Sequence, residues 1–296
     1  MELTIYSIGV LLAILGGFSH YLGLILEKYV INKMPDEAKL MKTLVKDPLW
    51  LFAIFVRFGI GSILFIFAQI IIGPAITPGL MASGLIILAI GSIKILGEKL
   101  NNMEIAAIFV MIIAVMFIGL SGLSIEISEE NLLDPSFLVR MFISTGFLVL
   151  IAIFFQVIQG KNQRLRVILL ALISGLMLSL NNFWITPFIW SLGNMFGGYF
   201  SIESFLLFLV SAVLLITANI FSVIKMSQSF RSGKASFLAP IQNVPVQLTP
   251  SILYFFVFMM ITSSWASIIF FILGVALIIS SSFILGKRQA QIEQIS

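Results

Sequence analysis

Nine apolar stretches, each long enough to cross a lipid bilayer, occupy most of this 296-residue chain. The hydrocarbon core of a bilayer is roughly 30 Å thick, so about 20 helical residues are needed to span it. Apolar residues make up 60% of the sequence and charged residues 10%, which excludes an ordinary soluble domain. We therefore predict an all-α, polytopic membrane helix bundle with spans near residues 4–26, 49–72, 76–97, 102–121, 136–159, 166–190, 203–225, 235–260 and 264–286.

The positive charge of the connections between these stretches alternates along the chain. Counted from the N-terminus, the first, third, fifth and seventh connections and the C-terminal tail are basic. The second, fourth, sixth and eighth connections contain no Lys or Arg, and the fourth, residues 124–135, is acidic. Because Lys and Arg accumulate on the cytoplasmic side of membrane proteins, we predict a multi-pass protein of the plasma (inner) membrane. Its N-terminus would lie outside and its C-terminus in the cytoplasm. The same pattern accounts for the net charge of +4, so we predict the lipid bilayer, and no nucleic acid, as its partner.

The acidic connection 124–135 divides the chain into two halves. Residues 1–123 hold four predicted spans, and residues 136–296 hold five spans and a short cytoplasmic tail. A shift of 162 residues superposes two spans of the first half on two of the second and brings Pro78 onto Pro240. The charge pattern sends the superposed spans in opposite directions. We therefore predict two inverted halves (4+5), a design of secondary transporters that bind substrate at the interface of the repeats.

Short motifs recur in both halves. The first half contains Phe67-Ala68-Gln69, Pro78-Gly79-Leu80 and Leu96-Gly97-Glu98-Lys99-Leu100, and the second echoes them in Ser232-Gly233-Lys234-Ala235-Ser236-Phe237-Leu238-Ala239-Pro240-Ile241. These motifs resemble the drug/metabolite transporter (DMT) superfamily. Asp47-Pro48-Leu49-Trp50 and the nine-span plan are similar to EamA-like proteins and NIPA-type magnesium transporters. The resemblance implies two inverted five-helix halves, here without the first helix. Met259-Met260 stands where the Gly97-Glu98 pair would recur.

The polar side chains of span 235–260 are the first candidates for substrate binding, because polar groups inside a bilayer are costly. Asn243 and Gln247 lie four residues apart on one helical face, and Gln242 is adjacent. Prolines are expected to break this helix and free backbone carbonyls for a midplane site. The alternative is that the amides join neighbouring helices. The three prolines of the span are Pro240, Pro245 and Pro250.

Two other spans add candidate substrate-binding residues. Asn181 and Asn182 lie near the middle of span 166–190 and could line a site or join helices. Arg57 lies eight residues into span 49–72. Its side chain could reach back to the membrane surface, pair with Glu98, or contact an anionic substrate.

Two further features concern titratable groups. His20 is the only histidine, and it could relay protons near neutral pH or act as a hydrogen-bonded packing residue. Lys94 and Glu98 lie four residues apart and are expected to form an ion pair at the interface rather than a site.

Several kinds of chemistry have no support in the sequence. No Asp or Glu falls in the middle third of a span, so no carboxylate cage for Mg²⁺ is visible, and the metal remains unknown. The chain has no cysteine and no H-E-x-x-H motif. We predict that the protein is not an enzyme and needs no cofactor.

Three functional hypotheses follow. The first is a secondary transporter that moves a small polar metabolite or drug-like solute by alternating access. The second is a NIPA-like magnesium transporter, and the third is a non-transporting membrane subunit that binds lipid or partner helices. The sequence leaves the substrate, the coupling ion and a homodimeric state open.

Overall fold

A computed structural model of the chain describes residues 2–35, 37–72, 77–121, 132–161, 165–197, 201–257 and 264–293. These residues form helices joined by short turns, without a β-strand among them. The helices are α1 (Glu2–Asn32), α2 (Leu40–Leu44), α3 (Pro48–Ile54), α4 (Gly61–Ile72), α5 (Thr77–Met81), α6 (Gly84–Lys94), α7 (Asn102–Leu120), α8 (Pro135–Lys161), α9 (Arg166–Phe196), α10 (Ile202–Phe230), α11 (Ala235–Val257) and α12 (Trp265–Glu293). A π-helical turn, Phe55–Ile60, joins α3 to α4 and is called the π turn below.

Within the described ranges, seven helical segments are long and apolar enough to cross a membrane, which makes the chain a multi-pass helical membrane protein. The continuous segment Pro48–Ile72, which runs from α3 through the π turn to α4, is one of them. Two predicted spans are absent from the seven. The described part of the stretch 76–97 forms the two shorter helices α5 and α6, and the described part of the stretch 235–260 forms α11, which is rich in proline and amides.

The helix starts follow from local sequence. Asp47 and Asp134 each precede a proline and accept backbone N–H groups of the first turn, so α3 and α8 both begin at an Asp-Pro pair. Asn101 and Glu104 form a reciprocal capping box at the start of α7. The Ser201 side chain accepts the N–H of Ser204 at the start of α10. These caps satisfy backbone donors that would otherwise lack partners.

Two helices organise the packing. α1 packs against α3, α4, α5 and α6, whereas α9 packs against α8, α10 and α11. α7 lies along α12, and α11 also contacts α6 and α12. One buried apolar cluster connects most of these helices, with Leu24, Leu88, Met111, Ala171, Met226, Leu238 and Ile278 among its members.

One expectation about α11 is wrong. The helix runs without a break from Ala235 to Val257, across all three of its prolines. A membrane-embedded helix tolerates prolines when neighbouring helices and polar side chains satisfy the freed backbone groups. α9 supplies such close packing, because a Cβ added at Gly175 would lie 2.9 Å from Cγ of Pro245.

Candidate functional site: a buried polar chain across the bundle

Arg57, which lies in the π turn, is one of the most deeply buried charged residues of the described bundle. π-helical turns are rare and often occur at functional sites. Arg57 as a whole residue is only 1% exposed, so its side chain does not extend to the surface of the bundle. A buried guanidinium needs partners to offset its desolvation.

Glu27 of α1 is the charged partner of Arg57. Nη1 of Arg57 donates to Oε1 of Glu27 at 2.9 Å, and both side chains are 0% exposed. Gly23 permits this pairing, because a Cβ there would lie 2.6 Å from Cβ of Arg57 and 2.8 Å from the carbonyl oxygen of Ala53. Arg57 therefore pairs with Glu27, four residues along α1 from Gly23, and not with Glu98.

Gln242 extends this pair into the second half of the sequence. Nη2 of Arg57 lies 3.4 Å from Oε1 of Gln242, a long contact, and Nε2 of Gln242 donates to Oγ of Ser174 at 2.6 Å. Oγ of Ser174 lies 2.8 Å from the carbonyl oxygen and 2.9 Å from Oγ of Ser222. We call Glu27, Arg57, Gln242, Ser174 and Ser222 the polar chain. It connects α1, the π turn, α11, α9 and α10.

A close approach of α9 and α11 makes the central link of the polar chain. A Cβ added at Gly175 would lie 2.1 Å from the carbonyl oxygen of Gln242. No larger residue fits there unless α11 moves away from α9. The glycine next to Ser174 thus places the Gln242 amide within hydrogen-bond distance of the Ser174 hydroxyl.

The polar chain leaves two buried atoms without a hydrogen-bond partner among the described residues. They are Nε of Arg57 and Oε2 of Glu27, one donor and one acceptor on the same ion pair. Buried polar atoms without partners are uncommon and call for an explanation. A bound polar molecule with both a donor and an acceptor would satisfy them.

Asn243 and His20 lie beside the polar chain. Nδ2 of Asn243 donates to the hydroxyl of Tyr21. The ring of His20 meets that of Tyr21 edge to face at 5.3 Å and that of Phe58 at 6.5 Å. The guanidinium of Arg57 lies over the Phe58 ring at 4.7 Å. His20 therefore contacts aromatic rings here, and its role as a proton relay stays a prediction.

The remaining predicted amides lie apart from this centre. Oδ1 of Asn181 accepts from Nδ2 of Asn219 at 2.7 Å, which joins α9 to α10. Asn182 is half-buried on α9. Gln247 is half-buried five residues beyond Gln242, or about 7.5 Å farther along α11. Of the predicted binding residues, the structure brings together Arg57, Gln242 and Asn243.

Glu98 serves a different purpose from the predicted pair with Lys94. Gly97 has a positive φ of 68°, which ends the α6 region with a left-handed turn. Oε1 of Glu98 accepts the N–H of Ala235 at 2.7 Å, and Oε2 accepts the N–H of Ser236 at 3.1 Å and its hydroxyl at 2.5 Å. Glu98 thus caps α11, whereas the Lys94 side chain is exposed and forms no ion pair in the described part of the chain.

Metal chemistry finds no ready site in the described ranges. No group of three or more Asp, Glu or His side chains converges there. The centre also contains the positive charge of Arg57 beside its one carboxylate, Glu27. A dehydrated divalent cation needs several anionic or carbonyl oxygens, and among the described residues this centre offers one carboxylate beside a guanidinium.

Comparisons with known proteins returned no relative: no family model, no curated protein and no solved structure matches this chain.

Sequence reasoning missed four residues of the site. Glu27, Tyr21, Ser174 and Ser222 were not among the predicted binding residues. Glu27 had a usable signal, because an arginine inside a bilayer requires an anionic partner and Glu27 lies within an apolar helix. The two serines had none, since serine is a common residue in membrane helices and its partner depends on helix packing.

Proposed function

We propose that the protein is a secondary transporter that moves a small polar solute by alternating access between two inverted halves. The observation that carries this proposal is the polar chain. Glu27 and Arg57 belong to the first half of the sequence, and Gln242, Ser174 and Ser222 to the second. A solute that binds to this chain touches both halves, so it can couple their relative movement to its own binding.

The packing pattern supports the inverted plan. The shift of 162 residues pairs α6 with α11 and α7 with α12, and the order along the chain then pairs α1 with α9 and α4 with α10. α1 packs on α4 and α6, as α9 does on α10 and α11. The paired helices also contact each other, α6 with α11 and α7 with α12. α8 has no counterpart among the described helices of the first half.

The chemistry of the polar chain favours a solute that offers both hydrogen-bond donors and acceptors. Nε of Arg57 can donate to it and Oε2 of Glu27 can accept from it. The ion pair has no net charge, so a neutral or zwitterionic solute brings no unbalanced charge into the bundle. Asn243 and Tyr21 lie within the same region and supply further polar groups.

Thermal unfolding of the purified protein tests binding directly. The additives are a panel of small polar metabolites, with Mg²⁺ and Ca²⁺ salts in separate samples. We expect at least one metabolite to raise the melting temperature, and the effect to be lost in Gln242→Leu and Asn243→Leu. The matched control is Gln156→Leu, which replaces an exposed amide on α8 and should keep the effect.

Flux measurements in liposomes then separate the three hypotheses. We expect the stabilising metabolite to be taken up by wild-type protein, and Asn243→Ala or Gln242→Ala to abolish uptake without loss of folding. Unchanged flux in both variants would remove this site. A rise in melting temperature with Mg²⁺ alone would favour a magnesium transporter. Full biological function of Gln242→Leu and Asn243→Leu would favour a non-transporting subunit.

A further inference from the structure

A second polar feature lies at the end of the bundle where α1, α6 and α10 finish and α11 begins. A cavity of about 230 Å³ opens there. Its lining places three cationic side chains against one carboxylate: Lys28, Arg231, Lys234 and Glu98. The lining therefore carries more cationic than anionic side chains, and it includes no residue of the polar chain, although Lys28 directly follows Glu27 in the sequence.

The carboxylate of Glu98 is already engaged by α11. It accepts three hydrogen bonds, from the backbone N–H groups of Ala235 and Ser236 and from the Ser236 hydroxyl. These donors and the positive end of the α11 dipole offset its charge. Glu98 therefore does not by itself balance the three cationic side chains of the lining.

Lys28 is the buried cation of this cavity. Its side chain is 6% exposed, and its ammonium group donates to the carbonyl oxygen of Phe230 at the end of α10. That carbonyl is its one hydrogen-bond acceptor among the described residues, and an ammonium group has three N–H donors. A buried ammonium on the cavity wall, with donors to spare, favours an anionic ligand.

The remaining lining suits a phosphate group in its chemistry and size. A guanidinium such as that of Arg231 can bind two phosphate oxygens at once, and an ammonium adds a point charge. The Asn32 amide and the Ser232 hydroxyl line the cavity as neutral donors. The cavity is several times larger than the volume of one water molecule, about 30 Å³ in the liquid.

We propose that this cavity binds a phosphate group through Lys28, Arg231 and Lys234. The group belongs either to free inorganic phosphate or a phosphomonoester, or to the headgroup of an anionic lipid at the membrane surface. Lys28 lies on α1, and the two other cations lie in the connection between α10 and α11. A phosphate held by all three joins these segments and stabilises their contact.

Calorimetric titration of the purified protein in detergent tests the site. Inorganic phosphate in chloride buffer is the first probe, and short-chain phosphatidylglycerol against phosphatidylcholine is the second. We expect phosphate to bind at millimolar concentration or below. Each of Arg231→Gln and Lys234→Gln should weaken binding about tenfold, as expected for loss of one charged hydrogen bond. Lys42→Gln, an exposed cation on α2 outside the cavity, should leave binding unchanged.

The titrations with the two probes distinguish free phosphate from lipid and can also overturn the proposal. Binding of phosphatidylglycerol but not of phosphate, with the same loss in the variants, assigns the phosphate to lipid. Absence of binding by both probes, or binding that neither variant weakens, overturns the proposal. Lys28→Gln should also lose binding, and the two cations nearer the surface decide the test if that variant does not fold. Because binding and not flux is measured, a negative result leaves the proposed transport function unaffected.

Discussion

At the scale of single residues, the central feature is an arginine that is stable inside a membrane bundle. Arg57 has Glu27 as its ionic partner and Gln242 as a weaker contact, and the Phe58 ring covers its guanidinium. A buried ion pair adds little net stability, but removal of one partner leaves an uncompensated charge. The ion pair is therefore better explained by ligand binding or by specific helix pairing than by a contribution to folding stability.

Neutralisation of one member of this pair should be costly. We expect Glu27→Gln to lower the free energy of unfolding by about 3 kcal/mol, because Arg57 then lacks its carboxylate. The double variant Glu27→Met/Arg57→Met should be clearly more stable than Glu27→Gln. Denaturant unfolding in micelles, followed by tryptophan fluorescence, measures both. Equal stability of Glu27→Gln and wild type would contradict the assigned pairing.

Glu98 gives a second prediction at this scale. Glu98→Ala removes the cap of α11 and three hydrogen bonds, so we expect a loss of about 2 kcal/mol in unfolding free energy. Lys94→Ala is the control, because its side chain is exposed and forms no ion pair in the described chain. The same unfolding assay applies. A loss of equal size in Lys94→Ala would instead support the ion pair expected from sequence spacing.

At the scale of elements, glycines decide how closely helices approach and thus which polar groups meet. Gly23 brings α1 against the π turn and Gly175 brings α9 against α11. Small residues at such crossings let membrane helices pack backbone to backbone. The two contacts that make the polar chain, from Glu27 to Arg57 and from Gln242 to Ser174, depend on these crossings.

Gly175→Ala tests this dependence. The added Cβ would lie 2.1 Å from the carbonyl oxygen of Gln242, so we expect α11 to shift and the unfolding free energy to fall by about 1–3 kcal/mol. The increase in melting temperature caused by a bound solute should also be smaller in this variant. In Gly146→Ala the new Cβ on α8 meets nothing within 4 Å. We expect Gly146→Ala to leave the unfolding free energy unchanged or to raise it by up to about 1 kcal/mol. Similar behaviour of the two variants would argue against the close approach.

At the scale of the whole molecule, the bundle encloses the polar chain beside its buried apolar cluster and also exposes apolar side chains on its outer faces. Exposed apolar residues cover the outer faces of several long helices, for example Phe147, Leu150 and Phe154 on α8 and Ile272 and Phe283 on α12. Such surfaces suit lipid tails rather than water. The basic residues at the ends of α1, α10 and α11 meet at one end of the bundle, as the contact of Lys28 with Phe230 and that of Lys234 with Lys99 show.

The orientation of this bundle in the membrane can be measured by cysteine labelling, because the chain has no native cysteine. We expect Ser136→Cys, at the start of α8, to react with an impermeant maleimide in intact cells. Lys46→Cys, before α3, should react only after permeabilisation. Both positions are exposed in the structure. The reverse pattern would contradict the orientation predicted from the charge alternation.

Much of the fold could be predicted, because long apolar runs and Asp-Pro starts are local signals. The seven membrane-crossing segments each overlap a predicted span, and α1, α9 and α10 extend a few residues beyond the predicted ends. The candidate site was harder to predict from the sequence. Arg57, Gln242 and Asn243 could be chosen as polar residues in apolar helices. Their partners Glu27, Ser174 and Tyr21 depend on which helix faces meet.

The sequence by itself determined the environment of this protein, because the cost of exposing apolar side chains to water depends on composition and on the length of each run. The sequence also located the polar residues of the membrane helices, which are costly inside a bilayer and therefore indicate a structural or functional role. Only the tertiary structure decided their partners: Arg57 with Glu27 instead of Glu98, and Glu98 with α11 instead of Lys94. Pairings across helices depend on crossing geometry and close contacts such as that of Gly175 with Gln242, which no local pattern encodes.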